Sequence, residues 1–438
     1  MKAKNLIASA GALALGVTGL RGANVAGFTP QETQKRWTVS AGLGMFYDDN
    51  NLNSSTDPQG SFGMELYPRL SLNLPLERTS FKASYELRLD YYEARPQNNV
   101  DQEHQLNAQM NHRFSERSVL DVGEMFVSAT QPEVISSGSA QTTFLRGDRG
   151  DTSHWRNYFN ADYSLRLGPT FGLATGIRSA VYDYKQDGPN SLSTLLDRTE
   201  NEFHVEDQVC PSEHDRLFVD YQFASVDYTS SDQLVGNVPG FTIVTNGAVV
   251  TTNVVIFRDA VSPTVRNSIS HYGYVGGQRV FSPRLTGSLS LGLRYTDFYN
   301  QQVTDWSPYV DLSANVGYLP GCSFQIGTKV DRNATDSGLG VKGITRDQLS
   351  TSMFMNVRHR LGPRFNATAW VRYQHSVYNG GDFDGQADDS YTLSPGLEFK
   401  VSENIFANMV YTREQLFSSR PDLAYSRNRV YLGLRAVY

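Results

Sequence analysis

The chain is poor in cysteine: its 438 residues carry two, Cys210 and Cys322. A secreted fold stapled by disulfides needs more. The two cysteines do not stand at the close spacing of a zinc site's paired thiolates. Long apolar runs are also missing. Beyond the N-terminus no stretch reaches the ~18–20 apolar residues that a membrane-spanning helix requires, which excludes a helical membrane protein. Nucleophile motifs are absent too. None of the eight histidines (His104, His112, His154, His204, His214, His271, His359 and His375) stands in a pattern such as G-x-S-x-G. On that ground no enzymatic activity and no cofactor are expected. No linker, low-complexity tract or charge run divides the sequence, and no nucleic-acid partner is expected. Hydrophobic residues make up 39%, below the usual share for a large soluble core, while aromatics reach 12%.

The first residues, MKAKNLIASAGALALGVTGLRGANVAGF, carry Lys2 and Lys4, then a short apolar segment from Leu6 to Leu20, then small residues. That order is a secretory signal peptide, with cleavage expected between Ala23 and Thr29. Residues 1–27 are assigned to the signal and 28–438 to a single exported domain.

From Arg36 onward the same pattern recurs. In FKASYELRLDYY, Phe81, Ala83, Tyr85, Leu87, Leu89 and Tyr91 share one face, and Lys82, Ser84, Glu86, Arg88 and Asp90 the other. HWRNYFNADYSLRLG and RLTGSLSLGLRY alternate likewise. The closing stretch YSRNRVYLGLRAVY sets Val430, Leu432, Leu434 and Ala436 against Arg427, Arg429 and Arg435. Alternation of period two means β-strands. Runs of about ten residues are long enough to cross a bilayer as tilted strands. Short connections rich in Pro, Gly and Ser (LPLERT, FSERS, LGPT, CPSEHD, FSPRL, LPGCS, LGPRF and VSENI) alternate with mostly longer polar segments. Short turns on one side and long loops on the other are the pattern of an outer-membrane barrel. The expected fold is therefore all-β: a transmembrane up-and-down antiparallel β-barrel of about 18 strands, with 16 or 20 as alternatives. The short turns would be periplasmic and the long loops external. Three prolines, in YPRLSL, SPYVDL and SPGLEF, are expected at the external edge of the membrane band.

The opening strand VSAGLGMFYDDNNLNSS, with YDDN at Tyr47–Asn50, the Pro68 strand that follows it and the aromatic C-terminal residue resemble the putative β-barrel porin 2 family of Gram-negative outer membranes. The resemblance runs from about Trp37 to Tyr438. It implies an outer-membrane barrel, and some members of the family accompany exopolysaccharide-secretion genes. It supplies no catalytic residues. The terminal aromatic strand resembles the signal that hands such barrels to their assembly machinery. The expected localisation is the cell outer membrane, with outer-membrane lipid and the assembly machinery as partners.

A barrel of this size has room for water. The expected function is a porin-like channel for passive diffusion of small hydrophilic solutes. The alternative is a barrel for exopolysaccharide export, or a closed structural barrel. The candidate lumen-lining residues are Arg69, Arg88, Arg358, Arg360, Arg372, Arg427, Arg429 and Arg435 on one side, and Glu200, Glu202, Glu206 and Asp220 on the other. Two outcomes are open for them: a field across the pore, or mutual pairing that fills the wall. Metal ligation is not expected; DFDGQADD (Asp382–Asp389) reads as a polar loop, because calcium-loop spacing is missing. RGDRGD (Arg146–Asp151) reads as a solvated loop. The longest loop, about Thr229 to Pro263, has an Asn246–Gly247 turn signal and reads as a hairpin. It could stand above the membrane, fold inward, or supply two more strands. Cys210 and Cys322 fall in separate short turns and are expected to stay unpaired, because several strand spacings of ~4.8 Å exceed the ~7 Å Cα reach of a disulfide.

Overall fold

The computed structural model describes residues 35–95, 97–130, 152–246, 249–335, 339–340, 343–419 and 423–438. The expected signal peptide and the RGDRGD segment lie outside them. The strands are, in chain order, β1 (Trp37–Asp48), β2 (Ser61–Pro75), β3 (Thr79–Tyr92), β4 (Val100–Ser115), β5 (Ser118–Ala129), β6 (His154–Arg166), β7 (Phe171–Tyr184), β8 (Arg198–Val209), β9 (Asp215–Tyr228), β10 (Leu234–Asn246) and β11 (Val249–Val261). There follow β12 (Ser268–Ser282), β13 (Leu285–Phe298), β14 (Val303–Leu319), β15 (Cys322–Asn333), β16 (Leu339–Gly340), β17 (Gly343–Ile344), β18 (Asp347–Arg360), β19 (Phe365–Asn379), β20 (Ala387–Lys400), β21 (Ile405–Ser418) and β22 (Tyr425–Val437). Among the described residues, a short helix, α1, spans Leu192–Leu196.

Eighteen of these strands form one sheet, and β1 pairs with β22, so the sheet closes on itself. Every neighbouring pair is antiparallel. The eight short connections fall where the Pro, Gly and Ser breakers stand in the sequence. The 320–321 turn, for example, uses Gly321 at φ 78, a conformation open to glycine at little cost. The longest connection does not add to the wall. Its strands β10 and β11 pair only with each other, while β9 pairs directly with β12. The barrel therefore has 18 strands rather than 20.

Burial alternates along the strands as the pattern requires. In β1, Trp37, Val39, Leu43 and Met45 are exposed, and Thr38, Ser40, Phe46 and Asp48 are buried. In β22, Leu432 and Leu434 are exposed, while Arg427 is buried. Contacts that skip strands identify the concave side. Arg429 on β22 reaches Asp90 on β3 at 3.3 Å, across β1 and β2. The apolar exposed face is thus the outside of the barrel, where lipid replaces water as solvent.

Two of the three prolines depart from expectation. Pro68 and Pro395 lie well inside β2 and β20, whereas Pro308 stands five residues from the long-loop end of β14. The β2–β3 ladder skips from Leu66 to Arg69 around Pro68, and the β20–β21 ladder skips from Leu393 to Gly396 around Pro395. A residue without an N–H forces a local break in the ladder, and these breaks fall mid-wall. Cys210 and Cys322 are both free, and five strand steps separate β8 from β15 along the sheet.

The seam is latched at its long-loop end. Arg427 grips Asp48 with Nε at 2.9 and 3.1 Å from the two carboxylate oxygens. Asn428 donates from its backbone N and its Nδ2 to Asp49, both at 2.6 Å. Asn50 donates from Nδ2 to the Ser426 carbonyl at 3.0 Å. The YDDN stretch therefore holds the last strand to the first. Beneath the latch, Tyr67 and Tyr431 lie over Gly42 and Gly44, where an added Cβ would come within 1.9 and 2.3 Å of their rings. Aromatic cover of strand glycines is a known register device.

Leu434→Arg should destabilise the folded barrel by about 1–4 kcal/mol, depending on depth, because hydrocarbon cannot solvate a guanidinium. A denaturant titration of folding into lipid vesicles measures this. Wild-type stability would mean that β22 does not face lipid.

Candidate lumen

The inner face is a lattice of ion pairs. Next to the seam, Arg427 meets Asp48 and also Glu414 at 3.5 Å. Arg429 meets Glu65 at 3.0 Å and Asp90 at 3.3 Å, with its guanidinium 3.9 Å above the Phe46 ring. Arg88 lies 3.8 Å from Glu65 and 3.6 Å from Glu86. Arg69 lies 3.6 Å from Glu86 and donates to Ser84. Arg435 lies 3.3 Å from Glu398. Arg372 is buried and donates to Gln374 at 2.6 Å. Arg358 and Arg360 stand exposed at the short-turn end, where Arg360 donates to the Gly362 carbonyl.

The acidic candidates are paired as well. Glu200 accepts from Arg198 at 2.7 Å. Glu202 is bound by Arg178, which also contacts Asp162 and His204. Glu206 is bound by Arg216 and by Gln208. Asp220 is buried on the same wall. Charges on neighbouring strands interleave by sign on both sides of the barrel, so most of the candidate arginines are not a bare basic wall. Pairing of this kind keeps buried charges tolerable: each loses water, and an opposite charge offsets the loss.

The sequence reading did not single out the partners. Asp48, Glu65, Glu86, Asp90 and Glu414 answer the arginines, and Arg178, Arg198 and Arg216 answer the glutamates. All occupy inward positions of the alternation, so strand parity could have found the faces. Which partners meet depends on inter-strand register. A second omission is aromatic. Phe218, Tyr272, Tyr274 and Tyr309 form a buried cluster on β9, β12 and β14. Tyr274 stacks on Tyr309 at 4.9 Å, and Arg294 lies 4.8 Å over Tyr272. Of the histidines, His154 and His204 are buried on the inner face. His104, His271 and His359 instead pair with tyrosines on the outside. Among the described residues, no group of three or more His, Cys, Asp or Glu could hold a metal.

Above the wall, three long loops are tied together by one side chain. Arg266, which ends the 3-10 turn Pro263–Arg266, donates to the Thr335 carbonyl at 3.2 Å, to Thr194 at 3.2 Å and to Leu195 at 2.7 Å. Its guanidinium lies 4.0 Å over the Tyr228 ring. The carbonyls it collects belong to α1 and to the loop between β15 and β18. Ser191 caps α1 through Thr194. At the other end Asp197 accepts from Ser193 Oγ at 2.5 Å and from Tyr184 N at 2.7 Å. Burial pushes the Asp197 carboxyl up to about 6, against the pull of those two hydrogen bonds. The base of the β10–β11 hairpin joins this cluster: Asn190 donates to Val235 O at 2.7 Å, and Gly188 N to Asp232 at 2.7 Å. The Asp382–Asp389 segment makes a tight turn in which Gly380 N donates to Asp384 Oδ1 at 2.7 Å.

Comparison with known proteins gives a family match over part of the chain and a general likeness. Residues 248–438 match the model of the family described as Putative beta-barrel porin 2. The match covers the later strands, and not the opening stretch that carries YDDN. No curated protein matches. Similar solved structures include OccAB4 of Acinetobacter baumannii, with 10% identity and a TM-score of 0.42 over 94% of this chain and 100% of that one. The outer membrane protein opdK of Pseudomonas aeruginosa has 11% identity and a TM-score of 0.43 over 92% and 99%. OccK2 of the same organism, solved in complex with glucuronate, has 9% identity and a TM-score of 0.44 over 92% and 98%.

Two measurements check this geometry. Asp48→Ala leaves Arg427 buried beside the seam with only Glu414, and should cost about 3–5 kcal/mol, the range for breaking a buried pair. Vesicle folding titrations report that loss, and faster amide exchange in β1 and β22 should accompany it. The second concerns pH. The Asp197 carboxyl titrates higher when folded than its ordinary 3.8, so its neutral form favours the packed loop. That contribution is full below about pH 4 and is lost as pH rises through about 6. Exchange of the α1 amides should therefore quicken between pH 4 and 6, beyond its intrinsic pH dependence. Asp197→Asn should abolish that extra rise.

Proposed function

We propose that this protein is a porin-like channel of the outer membrane through which small hydrophilic solutes diffuse passively. One observation carries the reading: an 18-stranded closed barrel is apolar outside and ionised within. Hydrocarbon demands the first face and water the second. Lumen charge would then act on the solute rather than on the fold alone. The twelve candidate residues line the path in this reading. Arg358 and Arg360 meet solutes at the short-turn mouth, and the paired arginines and glutamates form the walls behind them. Interleaved signs suit dipolar solutes, which can satisfy both at once. The signal peptide brings the chain out of the cytoplasm, and the aromatic final strand engages the assembly machinery. No catalysis is assigned.

Reconstitution in planar bilayers tests the channel, with stepwise conductance expected. Folded protein that never conducts would remove the reading. Arg429→Leu should shift the reversal potential in a salt gradient toward cation selectivity, because Glu65 and Asp90 lose the cation that faces them.

A further inference from the structure

Lipid-facing positions along the described strands are almost free of formal charge away from the rims. All but two of the outward charges, Asp183, Asp207, Asp215, Arg279 and Asp389 among them, lie within three residues of a strand end. Two charged residues lie deeper. Glu124 is on β5, five residues before Ala129, and Arg413 is on β21, five residues before Ser418. Parity puts both outside. Glu124 shares its face with Phe126, which stacks on Trp155 at 6.2 Å. Arg413 shares its face with Phe417, which lies 6.0 Å from Tyr391. Those rings stand toward the long loops. Toward the short turns stand Phe114 with Tyr163 on the Glu124 side, and Phe365 with Phe399 on the Arg413 side. Each charge thus lies between two aromatic levels, within the band that lipid tails would cover.

Among the described residues, the hydrogen-bond partners of both charges are neutral. Asn157 Nδ2 donates to Glu124. Arg413 donates to Asn428 Oδ1 at 3.1 Å and to Gln415 Oε1 at 2.9 Å. Hydrocarbon offers neither a counter-ion. An ionisable side chain facing lipid is expensive and calls for a partner. The two are opposite in sign and equal in distance from the loop end of their strands. All copies inserted in one membrane share one orientation, so the depth of Glu124 on one barrel matches that of Arg413 on the next.

We propose that the barrel associates side by side with further copies of itself, the β5–β6 face of one copy meeting the β20–β21 face of its neighbour through a Glu124–Arg413 ion pair. Charge decides the symmetry. A two-fold contact through either face alone would bring like charges together, whereas the unlike faces attract. Ala108, directly opposite Glu124 on β4, leaves room for a long guanidinium side chain to approach. The two faces lie six strand steps apart around an 18-stranded wall, so they point in different directions. Each copy then engages two neighbours, which produces a ring or a row rather than an isolated pair. The inference concerns the outer surface and does not depend on what crosses the lumen.

The test is charge exchange. Wild type, Glu124→Arg, Arg413→Glu and the double exchange are folded into lipid nanodiscs large enough for several barrels and sized by native mass spectrometry. A heat-shift gel confirms folding of each. Wild type and the double exchange should be oligomeric, and each single exchange should fall to monomer. If a reversed charge blocks insertion, Glu124→Gln and Arg413→Gln should each lower the oligomeric fraction. A monomeric wild type would overturn the proposal, and so would single variants of wild-type size. Unchanged assembly with loss of a co-purifying anionic lipid from Arg413→Glu would also overturn it, by assigning Arg413 to a lipid headgroup.

Discussion

Inside a bilayer no water is present to satisfy a backbone N–H or C=O, so a sheet that enters must have no free edge. Everything else in this structure follows from closing β22 onto β1. The pairing runs from Ser40 with Val437 to Asp48 with Arg429, and reciprocal bonds between Val39 and Tyr438 at 3.1 and 2.8 Å extend it to the last residue. The seam joins the two ends of the described chain, so loop-closure entropy opposes it more than any local hairpin. The side-chain latch of Asp48, Asp49 and Asn50 onto Ser426, Arg427 and Asn428 stands at that joint.

The two faces of the wall solve opposite problems. The outside must carry little charge, and its aromatic rings mark the interfaces. The inside must hold ionised groups at close quarters. Arginine suits the second task because its planar fork can serve two carboxylates at once, as Arg427 and Arg429 do. The inner lattice is better understood as shape and wetting than as stability. Buried pairs roughly offset their own desolvation, and become costly only when one partner is lost.

The long-loop end is organised differently from the wall. Loops cannot borrow ladder hydrogen bonds, so α1, the 335 carbonyl and the turn before β12 are joined through the Arg266 guanidinium. A single side chain with five donors replaces a ladder there. The β10–β11 hairpin, docked at its base on Asn190 and Gly188, is anchored to the same assembly.

Much of this was legible in the residues. The period-two alternation named the inner and outer faces, and the eight short turns with one leading and one closing strand counted eighteen. The hairpin signal at Asn246–Gly247 was visible, but nothing local could say whether its arms would join the wall, since that depends on whether β9 and β12 meet without them. Pro68 and Pro395 misled about depth, because a missing N–H implies a ladder break without saying where along the wall it falls. The arginines and glutamates were placed on a face by parity alone. Their partners were not found, because Arg429 meets Asp90 only after three strands have been set in register and bent into a cylinder. Local sequence determined which way each side chain points, since that follows from the pleat of its own strand. The closed tertiary structure decided which charges meet, since distance across a barrel is fixed by stagger and curvature that no single strand contains.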